Sequence, residues 1–290
     1  MSKTAILLIG HGSRNPAGND EFLAFCERLA ARHPERAYVP CFIEFHDVLV
    51  PDGIDRAVAL GATRIVAVPV ILLAAGHVKV EIPELLEEGR KRHPGVEIRY
   101  GRNIGVCDAT VRMLVERVAE ATADAPPDPA ETGVLVLGRG SSDPDANGDV
   151  AKVARLFWEA TPHDLVQYAF IGVTRPDLPT GVERLVRLGA RTVVIAPYFL
   201  FTGVLIERIH ALAEGFRERH PEVRFVVSKY FEFHDRLQGV IEERVRGALE
   251  GEAMMQCDTC TYRIEATAGG GHGHGHEHGH GHAGAHAHGH

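Results

Sequence analysis

Long apolar runs are missing from this chain. No stretch approaches the roughly 20 residues that a membrane-spanning helix needs, and the run from Ala5 to Ile9 is too short for the core of a signal peptide. Neither a membrane anchor nor a leader is therefore expected. Cysteine is scarce, with five scattered over 290 residues; an odd, dispersed set does not make a disulfide framework and predicts a reducing, cytoplasmic setting. Positive charge is also in deficit, and the net charge of -8 argues against a nucleic-acid surface. Arginine nevertheless outnumbers lysine, and arginine is the better partner for carboxylates. A phosphate-cradling Gly-x-x-x-x-Gly-Lys-Ser/Thr loop is absent, which leaves no ATP site, and so is the helical His-Glu-x-x-His of many zinc hydrolases. What is present is a 45% hydrophobic content over a length that suits two domains of ordinary size.

The pattern along the chain alternates between strand and helix. Strands are predicted at 5–9, 37–45, 64–70 and 96–100, and helices at 18–32, 51–60, 81–93 and 108–123, with a loop at 71–78. Such alternation implies βαβ units, hence a parallel sheet covered by helices on both faces. The stretch from Ala123 to Ala130, rich in Pro, Asp and Ala, suits neither element and reads as a linker. Beyond it the plan starts again. Leu135-Val136-Leu137-Gly138-Arg139-Gly140-Ser141 copies Leu7-Leu8-Ile9-Gly10-His11-Gly12-Ser13, and at the same offset Phe42-Ile43 matches Phe170-Ile171, Leu60-Gly61-Ala62 matches Leu188-Gly189-Ala190, and Pro69 matches Pro197. After a slip of one residue, Gly76 matches Gly203, His93-Pro94 matches His220-Pro221 and Asp108 matches Asp235. The expected architecture is α/β, with two duplicated parallel-sheet domains facing a cleft: a first half over 1–123, a linker over 124–132, a second half over 133–250 and a tail over 251–290.

His11 follows the first strand between two glycines. In open α/β sheets the carboxyl edge is where ligands bind, although Gly-His-Gly can equally be a tight turn carrying a solvated histidine. The repeat serves as an internal control. His11 becomes Arg139, Glu44 becomes Gly172 and His77 becomes Val204, while the scaffold positions persist. Groups needed only for folding would be expected in both halves, so the asymmetry points to one functional site at the sheet edge of the first. Two imidazoles and a carboxylate can hold a first-row divalent ion with positions left open, and imidazole also titrates near neutrality. Hydrolysis and metal transfer both remain open on the residues alone.

Leu8-Ile9-Gly10-His11-Gly12-Ser13-Arg14, Cys41-Phe42-Ile43-Glu44 and Pro69-Val70-Ile71-Leu72-Leu73-Ala74-Ala75-Gly76-His77 together resemble the class II, ATP-independent chelatases that insert a metal into sirohydrochlorin. The resemblance runs over both halves. It implies a chelatase-like fold with the active cleft between two α/β domains, His11 and His77 binding the metal and taking pyrrole protons, and Glu44 assisting. Sirohydrochlorin carries many carboxylates, and Ser13, Arg14, Lys79 and Arg139 are candidates to hold them, the alternative for each cation being ordinary surface charge.

The tail departs from the α/β pattern. Met255-Gln256-Cys257-Asp258-Thr259-Cys260 gives a Met-x-Cys-x-x-Cys spacing, followed by a Gly/His segment holding His272, His274, His276, His278, His280, His282, His286, His288 and His290. Alternating Gly-His cannot pack a core and is expected to be disordered, yet it offers imidazoles for Co²⁺, Ni²⁺ or Zn²⁺. A purification tag is the other reading, against which Glu277 and several alanines interrupt the pattern. The combination resembles the long cobaltochelatase form of the family, which serves cobalamin synthesis and is associated with an iron–sulfur centre. Two thiolates supply half the usual ligands, so such a cluster at Cys257 and Cys260 would be shared in a homodimer, with Zn²⁺ as the alternative. Cys26, Cys41 and Cys107 are expected to be small buried hydrophobes. Three functions follow as expectations: Co²⁺ insertion into sirohydrochlorin or precorrin-2, Fe²⁺ insertion for sirohaem, and metal storage or delivery without turnover. A histidine phosphatase is disfavoured because Gly10 stands where that chemistry places an arginine.

Overall fold

The computed structural model describes residues 3–251. The first half forms a parallel four-stranded sheet in the order β2-β1-β3-β4, built from β1 (Thr4–Gly10), β2 (Ala37–Phe42), β3 (Arg64–Pro69) and β4 (Glu97–Tyr100). The second half repeats it as β6-β5-β7-β8, with β5 (Thr132–Gly138), β6 (Leu165–Phe170), β7 (Thr192–Pro197) and β8 (Arg224–Val227). Continuous apolar runs give parallel strands buried on both faces. Ala5 through Ile9 and Val134 through Leu137 are accordingly buried.

Alternate residues of each central strand serve different cores. Leu135 and Leu137 face an outer layer made by α6 (Leu178–Arg187) and α7 (Val204–Arg219), packing with Leu185, Ile209 and Phe216. In the first half, α2 (Val50–Ala59) lies close on β1 and β2, with Gly53 so tight against Cys41 and Leu7 that a Cβ would meet both within 2.8 Å. The other face is shared. Ile6 and Leu8 join Val134 and Val136 in one continuous core, to which α1 (Pro16–Arg32), α4 (Asp108–Ala121), α5 (Pro144–Glu159) and α8 (Asp235–Glu250) add Phe25, Leu114, Phe157 and Ile241. The last helix of each half crosses over. α4 packs on β7 and α8 on β3, and the exchange is tied by Arg244, whose buried guanidinium donates to the carbonyls of Asn103 (3.0 Å) and Ile104 (2.8 Å).

Several boundaries differ from the sequence reading for local reasons. β2 stops at Phe42 instead of Phe45, because Phe45 adopts a left-handed φ of 56° that turns the chain. α1 begins at Pro16 instead of Gly18, since the Asn15 side chain caps it by accepting from the Ala17 N–H and proline suits the first turn. His77, expected in a loop, opens a π turn (His77–Glu81) that leads into α3 (Ile82–Arg92). The linker is not wholly irregular. Asp128 caps a 3-10 turn at Pro129–Glu131, and β5 starts immediately after it.

Candidate metal centre

Each ligand candidate leaves the carboxyl end of a strand of the first sheet. His11 follows β1 directly, and the hydrogen-bond pattern of the sheet runs on past β2 for two residues, with the N–H of Ile43 donating to Gly10 and that of Glu44 to the His11 carbonyl (3.1 Å). Glu44 therefore lies beside His11 without being the strand's last residue. The glycine between His11 and Ser13 is demanded by geometry. Gly12 has a φ of +93°, and a Cβ there would stand 1.7 Å from the Glu44 carbonyl oxygen. His77 comes to the same edge on its π turn, a distortion that recurs at functional sites, whereas the matching α7 is α-helical from its first residue.

These elements bring His11, Glu44 and His77 together. The three half-buried side chains each offer a ligand atom within 4.8 Å of the others, the two rings meet edge to face with centroids 4.7 Å apart, and His11 Nδ1 is 3.6 Å from Glu44 Oε1. The remaining contacts fix the protons. His11 Nδ1 lies 3.0 Å from the Gly12 carbonyl, and His77 Nδ1 lies 2.5 Å from Glu81 Oε2. Those oxygens accept, so each Nδ1 donates, and in the neutral His11 ring Nε2 keeps the lone pair. A carboxylate behind an imidazole in this way orients the ring and strengthens it as a ligand. Burial holds the His11 pKa below its ordinary value; the hydrogen bond to Gly12 and the Glu44 charge oppose this, and the charges of Arg139 and His77 add to it. Its neutral, metal-competent form is thus favoured.

The second half supplies cations to the same place. Arg139, which replaces His11 in the repeat, sends Nη1 to within 3.0 Å of His11 Nε2. Lys79, a candidate to hold a substrate carboxylate, crosses to the second half and pairs with Asp143 (2.7 Å) and Asp145 (2.9 Å). Arg14 lies over the Phe45 ring at 4.9 Å. Ser13 is absorbed by the turn: its hydroxyl accepts from the Asn15 N–H, and Asn19 brackets its backbone on both sides. Ser141 and Asn147 make the same contacts in the second half, so these turn contacts belong to the repeated scaffold. Cys26 and Cys41 are buried as expected, while Cys107 is half-buried at the start of α4. Cys257, Cys260 and the nine tail histidines lie outside the described residues.

The sequence reading missed Glu81, Asp143 and Phe45. Glu81 sits four residues after His77, the spacing at which helical side chains meet, and so was legible. Asp143 is found only once the halves are docked. Phe45 and its counterpart Val173 carry no motif; both are exposed apolar residues with positive φ, 56° and 63°, a strained conformation for a bulky or β-branched side chain, here placed next to Glu44 and Gly172.

A duplicated parallel α/β fold with an imidazole–carboxylate cluster at one sheet edge, overhung by an arginine from the other half, defines a chelatase-like protein. The model of the CbiX family matches residues 5–121 and 133–248. The chain belongs to the CbiX family, and both of its halves do so independently. It is 44% identical to the sirohydrochlorin cobaltochelatase of Priestia megaterium over 264 residues, covering 90% of this chain and 85% of that one. To the sirohydrochlorin ferrochelatase of the same organism it is 33% identical over 248 residues, covering 86% and 91%. Among solved structures, SirB from Bacillus subtilis with Fe³⁺ superposes with a TM-score of 0.75 at 33% identity, covering 87% of this chain and 98% of that one.

Proposed function

We propose that this chain is a sirohydrochlorin cobaltochelatase, inserting Co²⁺ into sirohydrochlorin or precorrin-2 without ATP on a route to cobalamin. The observation that carries the reading is the convergence of His11, Glu44 and His77, with the Nδ1 of each imidazole held by an oxygen partner. Insertion exchanges two pyrrole N–H protons for one M²⁺, so the site must hold a cation loosely and accept protons near neutrality. Imidazoles do both. Glu44 beside His11 and Glu81 behind His77 can stabilise the imidazolium that each proton transfer creates. Arg139 and Arg14 are assigned to the substrate's carboxylates, Arg139 being the better placed. The chain's greater identity to a cobaltochelatase than to a ferrochelatase of one organism favours cobalt over iron. Iron insertion for sirohaem is the second reading, favoured by the ferrochelatase relatives.

The roles of the tail rest on its composition. Cys257 and Cys260 are assigned to an iron–sulfur cluster shared by two chains, and the nine histidines to metal delivery in a reducing cytoplasm. Visible spectra of sirohydrochlorin mixed with Co²⁺, Fe²⁺ or Ni²⁺ test the assignment. Co²⁺ should be inserted fastest, and His11→Ala or His77→Ala should each lower the rate at least a hundredfold, about 2.7 kcal/mol of transition-state stabilisation. Full activity in the doubly substituted chain overturns it. Deleting residues 269–290 should leave insertion at saturating metal intact, whereas a storage protein would lose most of its capacity. Iron and sulfide analysis of anaerobically purified protein decides the cluster.

A further inference from the structure

Arg139 makes an unusual contact for a guanidinium. Among the described residues it has no carboxylate partner at ion-pair distance; what it donates to is an imidazole nitrogen, His11 Nε2, at 3.0 Å. That nitrogen carries the ring's lone pair, because Nδ1 keeps its proton and donates it in a hydrogen bond to the Gly12 carbonyl. One lone pair cannot serve an N–H and a metal together. The contact also joins the halves at matching positions of the repeat, Gly10-His11-Gly12 and Gly138-Arg139-Gly140, each turn held by a glycine with positive φ of 93° or 87°. Lys79, two residues beyond His77, pairs with Asp143 on the loop that follows Arg139 and so holds the two loops in register.

We propose that Arg139 is a removable stopper on the His11 metal-binding nitrogen, and that the carboxylates of the tetrapyrrole draw it off, so that the macrocycle binds before the metal. A carboxylate offers a guanidinium two parallel charge-assisted hydrogen bonds, against the single neutral acceptor it has on His11. Substrate binding thereby uncovers the ligand at the moment when a cation entering the site can be consumed. A free cation arriving first meets a positive group already seated on the nitrogen it needs. Arg139 is in this sense a positioning residue for the order of binding as well as a substrate contact. The proposal rests on the reading of His11 as a metal ligand, and the experiment separates the two.

Co²⁺ is titrated into the full-length chain by calorimetry without tetrapyrrole, with the His11→Ala/His77→Ala chain as the blank for binding by tail imidazoles. Arg139→Ala, at an exposed position that should not disturb folding, should tighten the site for Co²⁺ roughly tenfold, the worth of one charge-assisted hydrogen bond. A second readout is the first turnover in stopped flow. The parent premixed with sirohydrochlorin and then given Co²⁺ should react faster than the parent premixed with Co²⁺, and the two orders should converge in Arg139→Ala. Unchanged Co²⁺ affinity in Arg139→Ala, or equal rates for both orders in the parent, overturns the stopper. If the doubly substituted blank binds Co²⁺ as the parent does, it is the metal-site reading itself that falls.

Discussion

At the scale of single residues, the site depends as much on a missing side chain as on those present. Gly12→Ala would put a Cβ into the Glu44 carbonyl at a backbone angle that L-residues avoid, so the 43–46 loop must move. The expected result is a stability loss of about 2 kcal/mol or more and at least a tenfold fall in insertion rate. Gly105→Ala is the control. It also has a positive φ, 69°, but no atom lies within 4 Å, so it should cost about 1 kcal/mol and leave the rate alone. Urea titration and the insertion assay on both variants check the contrast. The identities of His11, Glu44 and His77 were legible because the second half shows what the scaffold looks like without them. Arg139 was legible for the converse reason, as a charged side chain standing where the first half has His11. The ion pairing of Lys79 was not: its partners are far away in sequence and follow from docking, to which periodicity is blind.

At the scale of elements, the π turn and the start of α5 are joined by Lys79 and Asp143. Burial alone would raise the Asp143 carboxyl; the Lys79 ammonium and the capping N–H groups of Asp145 and Ala146 outweigh it and hold the pKa below the usual aspartate value. A carboxyl depressed by folding stabilises the fold above its unfolded pKa, near 4, and that contribution fades as pH falls through the lower native value. Both partners are partly exposed, so the pair is worth less than about 1 kcal/mol. Lys79→Ala should therefore be slightly less stable than the parent at pH 6, and the gap should narrow as the pH falls below about 4, as read from urea midpoints at each pH. The strand and helix order was legible from alternating apolar runs, and the elements missed share one cause. Where a strand gives way to a loop held by long-range hydrogen bonds, as at Ile43 and Glu44, or a helix opens with a wide turn, as at His77, local pattern carries no mark of the change.

At the scale of the molecule, the two halves look separate in sequence but bury one core between them. Unfolding of residues 3–251 should accordingly be a single cooperative event. Trp158, the only tryptophan, reports on the second half, and a fluorophore attached at a first-half surface position reports on the other; their thermal transitions should coincide within about 1 °C, a shift smaller than the 2–4 °C that 1 kcal/mol produces at this size. Two separated transitions would contradict the shared core. The crossing of α4 and α8 carries this further. A front half made alone would keep α1 on its inner sheet face but lose the cover that α8 gives β3, and its final helix would lose its seat on β7; two copies could satisfy each other by trading those helices. A single polypeptide with two unlike halves can instead carry His11 on one turn and Arg139 at the matching position of the other, in contact with it, an asymmetry closed to any pair of identical subunits.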